Sequence, residues 1–492
     1  MKLAAAPVLL LALLAPAAPA GAATVSVDGS VVTIAAPNRE RNQITVTGRS
    51  GGGLTIRDAR SPVTIGPGCT QTRPDRANCG GAEVGELVAD LGALNDSISL
   101  GSSAPVRATL RGGSGNDTLR GGQRNDVLAG GTGRDTVTYS GRPGDVTVTL
   151  AGGADDGLAG EGDEVLEVER AIGGSGFDVL IGTEGGNTLY GGPGDDRVDG
   201  AGGVDTLFGG RGNDLLQGGA GDDTFAADRG PDGSDASQGG DGADRADYSR
   251  RTGNVVVDPD GFADDGDRPG ATLTFTGAMP TFLLLSSPER DNVLPDVESV
   301  RGGAGADVIA PSNAGGAVEG GPGTDVLYGG PGIDSLAGDG GFDRLVARDG
   351  RVDNVRCGTE GDRVWLDLDD LADVDCEQRS VSFAPRVVPV ARTLGGEGLR
   401  VRVECPPQAF VRCQGTLRAT SVRRLDRRRP ARLGLGSYGL VSGASEEVVI
   451  PFDAAARSIV ARHAPLRVRV AIRGRDDAGA ARPSSARLVL RG

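Results

Sequence analysis

The chain has 492 residues, 84 of them glycine and only 3% aromatic, and a formal net charge of −16. Glycine disfavours helix interiors, so this composition excludes a largely helical globule, while the length allows several domains. From residue 381 onward, 21 arginines stand against 8 acidic residues, a balance of +13 that leaves −29 on the preceding residues; the long part calls for a cation and the tail for a polyanion.

In chain order, Lys2 and the apolar stretch "LAAAPVLLLALLAPAAPAGAA" make residues 1–22 an expected secretory signal peptide. No later window holds about 18 consecutive apolar residues, so no membrane span is expected. Residues 23–111 contain the alternating runs "TVSVDG", "VVTIAA", "QITVTG" and "GLTIRD", which predict a β-rich cap, with Cys69 and Cys79 pinning a loop. Near its end, "NDSISL" (Asn95 to Leu100) reads as a degenerate turn and strand.

A nine-residue pattern then recurs in three blocks, 112–138, 173–247 (units at 173–226 and 239–247) and 302–346, in fifteen units. The sixth position is aspartate in thirteen of them: Asp117, Asp126, Asp135, Asp178, Asp196, Asp205, Asp214, Asp223, Asp244, Asp307, Asp325, Asp334 and Asp343; Asn187 and Gly316 depart. The eighth position is a large apolar residue in all but one, with Ala246 the exception. A flexible glycine-rich linker has no use for an apolar residue at fixed phase, whereas a packed solenoid does. Three residues such as Thr206, Leu207 and Phe208 form a short strand with the middle side chain inward, and the six before them form the turn. Two facing nonapeptides make a coil of 18 residues, so residue i lies over residue i+18 with strands about 4.8 Å apart.

That stacking places Asp196 over Asp214 and Asp205 over Asp223, and like charges at strand spacing oppose folding. A hard divalent cation resolves the conflict. Calcium takes six to eight oxygens at about 2.3–2.6 Å, available from carboxylates of successive turns and from carbonyls of turn glycines such as Gly112, Gly191, Gly209, Gly218, Gly320 and Gly329. The glycines are expected in positive-φ conformations that aim those carbonyls at the ion.

At these residues the chain resembles the repeats-in-toxin (RTX, hemolysin-type) nonapeptide family, GGxGxDxUx; Gly112-Gly113-Ser114-Gly115-Asn116-Asp117-Thr118-Leu119 and Gly209-Gly210-Arg211-Gly212-Asn213-Asp214-Leu215-Leu216 match it closely. The resemblance implies a parallel β-roll with several calcium ions in its turns, folding when calcium is high, and implies no catalysis. Units 121–129, with Arg124 at the fourth position, and 311–319, which keeps only Val318 in phase, are expected to bind weakly or not at all.

Two similar inserts interrupt the repeats. Residues 139–172 begin with Tyr139 and Ser140 and end with Val168 and Glu169; residues 248–301 begin with Tyr248 and Ser249 and end with Val297 and Glu298. Both read as hairpins continuing the sheet, the second with an unusual segment "TFTGAMPTFLLLSSPER". Residues 347–380 predict an end cap, because Cys357 and Cys376 are close to one coil apart and suit a disulfide between neighbouring strands. There Asp367, Asp369, Asp370 and Asp373 read as a solvated acidic face. Residues 381–492, with "LRVRVECP", "EEVVIPF" and "LRVRVAI", predict a basic antiparallel β-sandwich, with Cys405 and Cys413 locking a loop. Its arginines, Arg423, Arg424, Arg427, Arg428 and Arg429 among them, read as a solvated run or as a site for an anionic cell-surface polymer or glycan.

Six cysteines in three close pairs suit disulfides in an oxidising compartment. His463 is the sole histidine, so H-E-x-x-H is absent, as is G-x-S-x-G, and His463 sits in a strand-like context. Few aromatics accompany the arginines, which argues against nucleic acid. The expectation is an all-β, extracellular calcium-binding protein, structural or adhesive rather than enzymatic; the alternative is a secreted hydrolase with an unrecognised site.

Overall fold

A computed structural model describes residues 22–36, 40–261, 265–267, 290–312, 315–347, 351–366, 370–373, 375–376, 378–381, 386–389, 398–404, 413–426, 429–440, 445–463, 466–475 and 483–490. Residues 1–21 of the expected signal peptide (1–22), residues 274–289 of the unusual insert segment, Asp367, Asp369, Cys405 and the side chains of the Arg423–Arg429 run lie outside the described residues. The chain divides into two compact units, one up to Ala227 plus Asp232–Asp244 and the other of Asp228–Pro231 plus Arg245 onward.

The first unit is a roll of short parallel strands. On one face Thr188–Pro193 pairs with Thr206–Arg211 in the register Thr188↔Thr206, Leu189↔Leu207 and Tyr190↔Phe208, so the coil is 18 residues long as the apolar phase requires. On the other, Val179–Ile181, Arg197–Asp199 and Leu215–Ala220 align Leu180, Val198 and Leu216. These central side chains, with Leu119, Leu128, Val137 and Val165, are all buried and form the core between the faces. At roughly 25 cal/mol per Å² of apolar surface, one such residue per nine supplies the drive that the turns cannot. One position further along the same strands, Tyr190 and the buried Phe208 stack with centroids 4.2 Å apart, an added cross-strand contact.

The N-terminal cap enters this roll as further rungs. Gln43–Gly48 pairs parallel to Ser97–Leu100 and antiparallel to Leu54–Asp58, and Ser97–Leu100 pairs with Thr118–Arg120. The expected Cys69–Cys79 disulfide is present. The first insert is more than a hairpin. Val146–Thr149 pairs antiparallel with Gly157–Leu158 and parallel with Val179–Ile181, Glu164–Leu166 pairs with Val127–Thr132, and Arg170–Ile172 joins Thr136–Thr138 to Thr188–Pro193. A buried Tyr139 hydroxyl donates to Asp163 Oδ2 at 3.0 Å.

In the second unit the same architecture runs through Arg245–Asp247, Ser299–Arg301, Ala317–Glu319, Ser335–Ala337 and Asn354–Arg356 on one face. Val255–Val257, Val308–Ile309, Val326–Tyr328, Arg344–Ala347 and Arg363–Leu366 form the other. Beyond the last repeat the coil lengthens to 19 residues (Leu345↔Val364), and the Cys357–Cys376 disulfide, also 19 apart, joins neighbouring rungs as expected. Its insert repeats the tyrosine contact, Tyr248 Oη donating to Asp291 Oδ2 at 3.0 Å.

The C-terminal segment is antiparallel throughout its named pairings, as expected. One sheet contains Arg386–Pro389, Gly398–Glu404 and Ser445–Pro451; the other contains Arg429–Leu440, Cys413–Asp426, Leu466–Arg475 and Pro483–Leu490. Leu399, Val401, Leu417, Ile450, Phe452 and Val468 are buried in a common core. The strand-like context expected for His463 is corrected: it ends a helix, Ala454–His463. Asp453 starts that helix by accepting the Ala456 N–H at 2.7 Å, and three alanines follow it.

Candidate metal sites

The sixth-position aspartates form ladders. The Asp178 N–H donates to Asp196 Oδ1 at 2.8 Å, and the Asp196 N–H to Asp214 Oδ1 at 2.7 Å, each 18 residues on. Asp117 and Asp135, Asp205 and Asp223, and Asp325 and Asp343 are linked in the same way. A three-residue lengthening of one coil gives the step Asp223 to Asp244, and the Gly316 N–H reaches Asp334 Oδ1 although Gly316 brings no carboxylate. These aspartates are buried, not splayed into water.

One carboxylate oxygen is thus engaged in holding successive coils together. The second oxygen divides eleven of the turns into two kinds. In Asp117, Asp135, Asp196, Asp205, Asp214, Asp223, Asp325 and Asp343, Oδ2 is buried and accepts no hydrogen bond. In Asp126, Asp178 and Asp307 it accepts the N–H of the second turn residue, Gly122, Gly174 or Gly303. The difference follows the backbone. Gly113, Gly131, Gly192, Gly210, Gly219 and Gly321 have left-handed φ, as do Ala201 and Asp339 at the same position in the turns of Asp205 and Asp343. Gly122, Gly174 and Gly303 do not. Turning the peptide between the first and second residues withdraws an N–H from the carboxylate and leaves an oxygen for another donor. Each self-satisfied turn begins a run: the N–H bound to its Oδ1 belongs to Ala108, Val146 or Val255 rather than to an aspartate.

The glycines expected to supply carbonyls through positive φ need a correction. Gly112, Gly191, Gly209, Gly218, Gly320 and Gly329 open their turns without left-handed φ. Close packing explains them: a Cβ on Gly191 would lie 2.5 Å from Asp196 Oδ2 and 2.6 Å from the Gly209 carbonyl oxygen. Left-handed φ falls instead at the second and fourth positions, such as Gly192 at 118° and Gly194 at 138°, where a Cβ on Gly194 would overlap the Gly176 carbonyl.

Burial governs the electrostatics. Loss of hydration pushes the carboxyl of Asp196 up to about 6, those of Asp205, Asp214 and Asp343 to about 7 and that of Asp325 to about 8. The ladder N–H bonds oppose this rise, and neighbouring carboxylates add to it, Asp196 acting on Asp214 and both Asp307 and Asp343 acting on Asp325. Asp117, Asp178 and Asp223 are raised for the same leading reason.

Buried carboxylate oxygens lacking donors, beside backbone carbonyls, fit a hard cation that takes oxygen ligands. Among the described residues no three carboxylates converge; the one three-residue grouping is Cys357, Asp375 and Cys376, whose sulfurs are joined to each other. Each turn would therefore use one or two carboxylates and complete its shell with carbonyls. Sequence reasoning found the repeat aspartates and read Asn95 to Leu100 as a degenerate turn, but it assigned no ligand role to Asp96 or Asp58, which are equally buried and lie outside the glycine-rich motif.

No curated protein matches the chain. A family model, the RTX calcium-binding nonapeptide repeat, matches it in four copies, at residues 109–137, 172–207, 199–233 and 319–351. With its parallel coils and carboxylate ladders, the chain carries RTX calcium-binding nonapeptide repeats and is a calcium-binding β-roll protein.

Proposed function

We propose that this is a secreted protein whose roll becomes fully stable on binding several extracellular calcium ions, and that it serves a structural or adhesive role without catalysis. The observation that carries the reading is the set of eight buried Oδ2 atoms without donors, spaced along coils whose other carboxylate oxygens are already engaged. Free energy of ion binding then adds directly to folding. Affinity is expected in the range of extracellular modules, about 10⁻⁴ to 10⁻³ M. Two disulfides support an oxidising compartment.

The C-terminal sheets support a polyanionic partner such as a cell-surface polymer or acidic glycan. Arg400, Arg402, Arg418, Arg467 and Arg469 are exposed and alternate with buried apolar residues, which puts positive charge on outward faces of the sheets. Calcium titration of the full chain followed by circular dichroism tests the central reading: strand signal and thermal midpoint should rise together, and indifference to calcium would refute it. Retention on heparin–agarose that falls with salt tests the arginine face, and assays on ester, peptide and glycan substrates test the absence of catalysis.

A further inference from the structure

The ladder continues beyond the glycine-rich motif at the N-terminal end of the first unit. The Asp96 N–H donates to Asp117 Oδ1 at 2.7 Å, and the Asn42 N–H donates to Asp96 Oδ1 at 2.6 Å. The Leu54–Asp58 strand, antiparallel to Gln43–Gly48, then brings in a residue that no repeat supplies: Asp58 Oδ1 accepts the Gln43 N–H at 3.1 Å and the Arg60 N–H at 2.9 Å. Asn42, Asp58 and Asp96 are 1%, 0% and 3% exposed. Asn42 Oδ1, Asp58 Oδ2 and Asp96 Oδ2 accept no hydrogen bond.

The turn leading to Asp96 has the open form. Gly92 is left-handed at 86°, as in the turns whose Oδ2 is available, and Leu94 holds a left-handed φ of 80° where the repeats use glycine. A leucine there is strained, and such strain persists only where its surroundings fix it. Asn42 is placed against Asp96 by its amide, whose Nδ2 lies 3.4 Å from Asp96 Oδ1. The side-chain charges acting on Asp96 are those of Asp117 and Asp58, both negative. Two buried carboxylates and an amide oxygen without donors match the oxygen-only preference of calcium.

We propose that Asn42, Asp58 and Asp96 bind a calcium ion at the N-terminal end of the roll, at a site outside the nonapeptide motif. This extends the reading of the roll as calcium-binding but uses different residues. Calcium stoichiometry of the full oxidised chain, measured by equilibrium dialysis, should fall by one ion in Asp58→Asn, which keeps an Oδ1 acceptor for Gln43 and Arg60. Asp196→Asn reports the repeat turns separately. An unchanged stoichiometry in folded Asp58→Asn overturns the proposal. If Asp58→Asn does not fold, anomalous scattering from wild-type crystals grown with terbium decides: a peak bounded by Asn42, Asp58 and Asp96 supports the site. Peaks in the repeats with none there overturn it alone, and a peak there with none in the repeats overturns the repeat assignment instead.

Discussion

The backbone N–H of Asp196 donates to Oδ1 of Asp214, 2.7 Å away and 18 residues further along the chain, while Oδ2 of Asp214 is buried without a donor. A single carboxylate therefore ties two coils together with one oxygen and leaves the other free to serve a cation. Asp214→Ala should leave the Asp196 N–H buried and unsatisfied, costing about 1–3 kcal/mol even in chelator. Asp214→Asn retains an acceptor, so in chelator it should match or exceed wild type while binding calcium more weakly. Urea denaturation of both variants, with and without calcium, separates the two roles; equal losses in both media would show that Asp214 is purely structural.

The self-satisfied turns predict the opposite pattern. Asp126 accepts from the Ala108 N–H through Oδ1 and from the Gly122 N–H through Oδ2. Asp126→Asn turns an amide NH₂ toward one of those donors and should destabilise the protein in chelator while leaving calcium stoichiometry unchanged. Loss of an ion in this variant would contradict the division of turns by backbone conformation.

Much of this was legible in the letters and some was not. Aspartate at the sixth position and an apolar residue at the eighth fix the coil length, because only an 18-residue coil keeps Leu189 over Leu207 and Leu180 over Val198. The state of the second turn residue was hidden, since Gly122 and Gly192 are the same residue in different conformations. What differs is the previous rung, Ala108 in one case and Asp178 in the other, a relationship created only by stacking. Asp58 was equally hidden, because it reaches the ladder through an antiparallel hairpin rather than a repeat. The helix after Asp453 carried its own signal, a capping aspartate before three alanines, submerged in a tail of alternating strands.

The raised carboxyls set the pH response. Burial, the leading cause, lifts Asp205, Asp214 and Asp343 to about 7 and Asp325 to about 8 in the folded protein, from an ordinary value of 3.8. The metal-free fold therefore holds more protons than the unfolded chain between these limits. Its stability is greatest below about pH 4 with respect to these groups and is lost as pH rises through 7 to 8. Thermal midpoints in chelator should fall from pH 5 to pH 8, and saturating calcium should remove or reverse that slope. A midpoint that rises over the same range in chelator would contradict the burial of unpaired carboxylates.

Gly191 tests the steric reading of the first turn position. A Cβ there meets Asp196 Oδ2 at 2.5 Å and the Gly209 carbonyl oxygen at 2.6 Å, both parts of packed coils. Gly191→Ala should cost about 1–3 kcal/mol and raise the calcium concentration needed for folding. Gly85→Ala is the control, because its Cβ meets nothing within 4 Å and its φ is not left-handed. Similar calcium midpoints for the two variants would show that the first glycine is dispensable.

Where the glycines fade, the disulfide between Cys357 and Cys376 takes over the closing of the coil. It spans 19 residues with both cysteines buried and joins the rungs in which Val355 pairs with Ala372 and Val364 with Arg379. A loop of this length contributes about 3 kcal/mol by restricting the unfolded chain. Because a solenoid coil contacts only its neighbours, the loss in a Cys357→Ala, Cys376→Ala variant should stay local. Amide exchange should accelerate around Val355 and Val364 while Leu207 and Leu216 keep their wild-type protection. Equal acceleration at Leu207 would instead mean that the whole chain unfolds as one cooperative body, and that the end of the second unit governs the stability of the first.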